Sequence, residues 1–187
     1  MSMAGQYIYR PAIAVTCLVW VFVSCHAQQS PLRSDSLTAQ QRELGSKLAK
    51  TTSLYLDQKI GLAGFGGKPF CGYKLLDVEE SDIRVYEYVD VLCQEYYVKG
   101  NGKLEKGTAI ALPVALTIAK AGTAFEVISH EEPRDGDEFA PDIKRIFPER
   151  VQPEIFNDLR SRWRDAIMQQ ITADAERYYA NLKNRTR

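Results

Sequence analysis

Between Thr108 and Ala119 the chain alternates with a period of two. Ile110, Leu112, Val114, Leu116 and Ile118 form one row, and Ala109, Ala111, Ala115 and Ala119 form the other. Successive side chains of a strand point to opposite faces, so this pattern specifies a strand with one strongly apolar face. The alanine face leaves room for another layer to lie close. Pro113 lacks a backbone donor, which predicts an edge position or a bulge.

Three further runs have strand character. Phe70 to Val78 is the first. Ile83 to Lys99 is the longest, with Ile83, Val85, Val89, Val91 and Cys93 on one face and Tyr86, Tyr88, Leu92 and Tyr96 on the other. Phe125, Val127 and Ser129 mark the last. The connections are short: a hairpin turn near Glu79 to Asp82, Gly100-Asn101-Gly102, and Ala121-Gly122. Consecutive strands joined by short turns predict a four-stranded antiparallel meander.

Helical spacing flanks these strands. Leu37, Leu44, Leu48, Leu54 or Tyr55, and Ile60 predict a helix from Leu37 to about Ile60, with Ser36 as its N-cap. Gly61 to Lys68 ends it, and Pro69 favours extended chain. Gly61-Leu62-Ala63-Gly64-Phe65-Gly66-Gly67-Lys68 lacks the phosphate-loop spacing and follows a helix, so it is read as a flexible hinge. Pro133 to Asp142 is polar, and Asp142 to Phe147 predicts a short helix stopped by Pro148. Pro153 opens a last helix over 154–184, carried by Ile155, Leu159, Trp163, Ile167, Ile171, Ala175, Tyr178 and Leu182. It would be about 45 Å long. The fold class is therefore α+β: an N-terminal helix packed on a four-stranded meander, plus a long C-terminal helix.

The N-terminal residues carry an address. One cation, Arg10, precedes an apolar stretch from Pro11 to Val23, with small residues and a polar run after it. That order is a secretion signal, too short for a membrane span of about 20 residues. Two cleavage readings stand side by side. Cys25-His26-Ala27 fits cleavage before Gln28, while Phe22-Val23-Ser24-Cys25 resembles a bacterial lipobox, which implies lipidation at Cys25. The chain then divides into a signal peptide 1–27, a polar linker 28–36 and a single domain 37–187. Periplasmic, secreted and lipid-anchored destinations all follow from this reading.

Removing residues 1–27 leaves 160 residues with 23 basic and 24 acidic side chains, Arg10 being the one charge lost. Such a balance gives no electrostatic reason to bind nucleic acid. Arg160, Arg162 and Arg164 around Trp163, with Asp158 and Asp165, read as a solvated helix face. Cys71 and Cys93 flank the hairpin turn symmetrically, and export makes a disulfide between them credible. Two Cys without a nearby His are too few for a metal site, and no cofactor motif is present.

A helix followed by four antiparallel strands over residues 37–130 resembles the cystatin-like and NTF2-like folds. The cystatin Q-x-V-x-G signature is missing from Cys93-Gln94-Glu95-Tyr96-Tyr97-Val98-Lys99, so protease inhibition is not implied. Pro133-Arg134-Asp135-Gly136, followed by Asp142-Ile143-Lys144-Arg145-Ile146-Phe147-Pro148, is similar to a run in uncharacterised exported bacterial proteins, and that likeness implies no activity.

Candidate chemistry is sparse. His130 ends the last strand and is followed by Glu131, Glu132 and Asp135, so a general base oriented by Glu132 or Asp135 is one reading. An acidic loop beside an exposed histidine is the plainer one. Tyr86, Tyr88 and Tyr96 share a strand face suited to binding an unknown protein or small ligand, unless the terminal helix covers them through Trp163, Tyr178 and Tyr179. The leading expectation is an exported, non-enzymatic interaction module. An NTF2-like hydrolase or isomerase using His130, and an envelope accessory protein acting through its terminal helix, are the rivals. Membrane attachment enters only through Cys25.

Overall fold

The computed structural model describes residues 32–33, 37–157 and 162–185. The expected secretion signal, Cys25, Ser36 and Arg160 lie outside these residues. Strands β2 (Lys68–Glu80), β3 (Arg84–Val98), β4 (Leu104–Ala121) and β5 (Ala124–Glu131) form the antiparallel meander that the alternation predicts. A two-residue strand β1, Leu32–Arg33, joins the outer edge of β2 in parallel, with Leu32 opposite Lys74.

Helix α1 (Ala39–Tyr55) crosses one face of the sheet and ends in a π-helical turn, Leu56–Ile60. The other face carries α2 (Phe139–Ile146), α3 (Gln152–Asn157) and α4 (Arg162–Arg185). The arrangement is α+β, with the sheet between two helical layers.

Sequence explains both interfaces. Leu44, Leu48, Leu56 and Ile60 recur at helical spacing and pack on Leu75, Val85, Val89, Val91, Val114, Leu116 and Ile118. Each such burial stabilises by roughly 1.5–3 kcal/mol. Gly45 sets the separation: a Cβ there would lie 2.4 Å from Leu75 Cδ2. On the opposite face Trp163, Ile167, Ile171 and Ala175 pack on Phe70, Leu92 and Tyr96. Gly72 plays the matching part, since its Cβ would meet Ile167 Cγ2 at 2.6 Å. Ile143, Phe147, Val151 and Ile155 cover Leu76, with Tyr88 and Ala115 at the margin.

Several boundaries move. The N-cap of α1 is Thr38, in a capping box: its hydroxyl accepts from Gln41 N at 3.2 Å, and Gln41 Oε1 accepts from Thr38 N at 2.9 Å. Leu54 is 56% exposed, because Leu56 and Ile60 of the wider π turn continue the buried stripe instead. Ile83 is 69% exposed, because the alternation of β3 runs one step past the strand into the turn. The short helix begins at Phe139, earlier than its periodicity implies. Helix appears over Gln152–Asn157 and Arg162–Arg185, with the intervening residues outside those described. Pro113 lies just beyond the last β4–β5 pair, Ala115 with Glu131, where the outer side of β4 has no strand partner among the described residues.

Cys71 and Cys93 are directly opposite in the β2–β3 register and form a disulfide, with Cα atoms 4.1 Å apart. Disulfides persist outside the reducing cytosol, so the bond indicates a non-cytosolic compartment. Among the described residues, no helix is long and apolar enough to cross a membrane.

Candidate functional site

The tyrosine face is occupied by the protein itself. Tyr96 is 3% exposed, with its hydroxyl 2.7 Å from Thr172 Oγ1 on α4. Tyr179 donates to the Tyr96 carbonyl at 2.6 Å, and Phe70 meets Tyr96 edge-on. Tyr88 is half-buried against Phe147, their rings 5.9 Å apart. Burial, with the nearby Glu79 charge, pushes its phenol up to about 12. Tyr86 stays half-exposed near the start of β3. The three tyrosines share a face but not an open surface: α4 takes Tyr96, and the residue capping α2 takes Tyr88.

His130 has a different partner from the one its sequence neighbours suggest. Its Nδ1 lies 2.8 Å from the Tyr55 hydroxyl, at the end of α1, with the two rings edge to face. Glu132 and Asp135 sit exposed on the connection to α2, and Glu131 pairs with Arg145 at 2.8 Å. The structure therefore ties His130 to a phenol and leaves the two named carboxylates on a solvent-facing loop.

The run Pro133 to Pro148 has a packing role. Asp142 is 2% exposed and accepts from Arg134 Nε at 2.8 Å, from Arg134 Nη2 at 3.0 Å and from the Arg134 backbone N at 3.0 Å. Arg145 approaches the same carboxylate at 3.3 Å. Hydrogen bonding from Arg134 holds Asp142 well below the usual carboxylate range. The clamp fixes the chain from β5 into α2, which seats Ile143 and Phe147 on the sheet.

A second clamp overturns the hinge reading of Gly61 to Lys68. Glu95 is fully buried and accepts from the backbone N of Phe65 (2.9 Å), Gly67 (2.8 Å) and Thr108 (3.0 Å). Burial alone would raise its pKa, but these amides outweigh it and the pKa is lowered. The glycine loop is thus pinned to the sheet where β4 bulges across from Glu95. Gly67 is required by proximity, because a Cβ would lie 2.2 Å from the Tyr96 carbonyl oxygen.

A cleft lies beside the β2 bulge at Leu76. It encloses about 110 Å³ and is lined by Leu37, Gln41, Leu76, Asp77, Arg150 and Val151. The buried Asp77 accepts from Gln41 Nε2 at 2.5 Å and faces the Arg150 guanidinium at 2.5 Å. Arg150 also pairs with Glu79. A space of this size suits a few waters or a very small polar group.

Sequence reading missed the buried acids Asp77, Glu87, Asp90, Glu95 and Asp142. A signal existed for Glu87, which takes the inward position between Val85 and Val89. Asp90 likewise falls between Tyr88 and Leu92, and it binds Arg164 at 3.2 Å. Arg164 is therefore a buried acid's partner rather than part of a solvated face.

The chain matches no protein-family model, no curated protein and no solved structure.

Proposed function

We propose that this chain is an extracytoplasmic interaction module that acts through its outer surface, without catalysis. The observation that supports it best is the seating of α4 on the tyrosine face. Tyr96, Phe70 and Leu92 are buried by Trp163, Ile167 and Ile171, so this face builds a core instead of a ligand pocket. The Cys71–Cys93 disulfide and the secretion signal support a location in the envelope or outside it. The likeness of the Pro133–Pro148 run to exported bacterial proteins fits the same setting.

His130→Phe tests the reading against a hydrolase or isomerase. The ring would still pack on Tyr55, so the fold should hold. Complementation of a deletion strain by the variant should equal that of the parent. Lost complementation at an unchanged Tm would overturn the proposal and favour chemistry at His130. Intact mass of the exported protein separates the destinations. A lipid-modified terminus at Cys25 means anchoring, and an unmodified terminus at Gln28 means release or periplasmic residence.

A further inference from the structure

We infer that the end of the domain where β2 begins is a docking rim for an anionic lipid surface. The inference rests on the extracytoplasmic reading and adds an orientation to it.

Topology brings three segments to that end. They are the pinned glycine loop before Lys68, the Lys99–Lys103 turn between β3 and β4, and the C-terminal turns of α4. The direction of α4 is fixed by its partners. Arg164 meets Asp90, Thr172 meets Tyr96, and Tyr179 reaches the Tyr96 carbonyl. Its last residues therefore lie at the same end as Lys68 and Val98. Tyr178 confirms this, packing on Phe70 with Lys68 Nζ 5.6 Å from its ring centre.

This end exposes apolar side chains. Phe65 is 63% exposed and stacks on Tyr97, Leu62 is 56% exposed, and Val98, Tyr178 and Leu182 are also exposed. It also carries an excess of basic side chains: Lys68, Lys99, Lys103, Lys106, Arg177, Lys183 and Arg185 outnumber Asp57, Glu105 and Asp174, even with Lys68 paired to Asp57, Lys99 to Glu105 and Arg177 to Asp174. Glu95 adds nothing to the surface, because its carboxylate is buried among backbone amides. At the opposite end the acids outnumber the bases: Asp77, Glu79, Glu80 and Asp82 stand with Arg84, Lys120 and Arg150, with Lys120 on Glu80 and Arg150 on Asp77 and Glu79. A chain of zero formal net charge thus carries a polarised charge distribution.

Aromatic and aliphatic side chains interleaved with lysine suit the headgroup boundary. There the rings and stems enter the apolar margin and the ammonium groups meet anionic lipid. Chain direction favours a bilayer over an acidic protein. β1 is parallel to β2 and pairs Leu32 with Lys74, so the N-terminal side of β1 faces the Lys68 end. Cys25 precedes Leu32 by seven residues, a reach of roughly 25 Å. A membrane holding the chain at Cys25 would lie within that reach of the start of β1.

Lysine acetylation of the exported protein, mixed with phosphatidylethanolamine–phosphatidylglycerol vesicles, tests the orientation. Lys99, Lys103 and Lys183 should label at least about tenfold more slowly than in solution. Lys47 and Lys144, away from the rim, should be unchanged, and pure phosphatidylcholine vesicles should give little protection. Equal labelling at all sites, or protection centred on Lys47 or Lys144, overturns the inference, including where an acidic protein is the true occupant. The double variant Lys99→Glu/Lys103→Glu alters two exposed side chains and should keep its Tm. It should lose protection at Lys183, even where a lipid anchor still holds the protein on the vesicle. Retained protection overturns the rim. Intact mass of the same preparation reports separately on export.

Discussion

The Thr52 hydroxyl donates to the Glu87 carboxylate between α1 and the sheet, and both residues are fully buried. Glu87 Oε1 has no hydrogen-bond partner among the described residues. A charged carboxylate is poorly solvated there, whereas the neutral acid is tolerated. Burial raises its pKa from 4.5 to about 7, against the opposing effect of the Thr52 hydrogen bond.

The pH dependence follows in sign. Between pH 4.5 and 7 the folded state holds a proton that the unfolded chain releases. Stability is therefore complete below the lower value and falls as pH rises towards 7, by about 3 kcal/mol from this group. Urea midpoints taken from pH 4.5 to 8 should decline across that window. Glu87→Gln should flatten the decline. A parent curve that is level or rising, once matched against Glu87→Gln, would contradict a neutral buried acid.

Glu95 behaves in the opposite sense, because amide donors hold its anion. Its contribution is present above the ordinary carboxylate range and is lost as pH falls through the lowered pKa. Glu95→Ala should release the glycine loop from β4. Amide exchange at Phe65, Gly67 and Thr108 should accelerate together, with Tm lower by roughly 2–4 °C per kcal/mol lost on the scale of a domain of this size. Gly67→Ala should give the same exchange pattern by pushing against the Tyr96 carbonyl. Acceleration at one amide alone would mean that the three are not held by a common group.

The contrast between these two acids explains what the sequence could disclose. Period-two alternation in β3 and β4 and the helical stripe through Leu44 and Leu48 reflect burial, so the layers were legible. So was the disulfide, because Cys71 and Cys93 are symmetric about a short turn. Glu95 depends on amides from three separate stretches, Phe65, Gly67 and Thr108, which no local pattern links. The same holds for His130, whose phenolic partner Tyr55 is 75 positions away, while Glu132 and Asp135 lie exposed on the following loop. Gly67, which seems to loosen the loop, in fact allows it to approach Tyr96.

Arg134 should matter to stability through the geometry of its guanidinium. It offers Asp142 two side-chain donors and one backbone donor, and a lysine cannot reproduce that fork. Arg134→Lys should fall well short of the parent in Tm, and Arg134→Gln should fall further. Both should weaken the seating of Phe147 on Tyr88, which near-ultraviolet circular dichroism would register. Lysine restoring the parent Tm would show that charge alone suffices. Because Arg134 holds Asp142 in its ionised form, the clamp should survive moderate acid and fail only well below the usual carboxylate range.

The disulfide allows a prediction that separates covalent tethering from packing. Cys71 and Cys93 are 22 positions apart, and closing a loop of that length stabilises by about 3 kcal/mol in the chain-entropy model. Both sulfurs belong to the α1-facing core, with Cys93 1% exposed. Cys71→Ala/Cys93→Ala should lower the urea midpoint by a free energy near that value while preserving the strand register, since eleven further β2–β3 pairs flank the bond in sequence from Lys68 to Glu80 and the helices still cover both faces. Reductant should destabilise the parent by a similar amount and leave the double variant unaffected. A parent whose midpoint ignores reductant, under conditions where mass spectrometry confirms two free thiols, would show that packing alone holds β2 against β3.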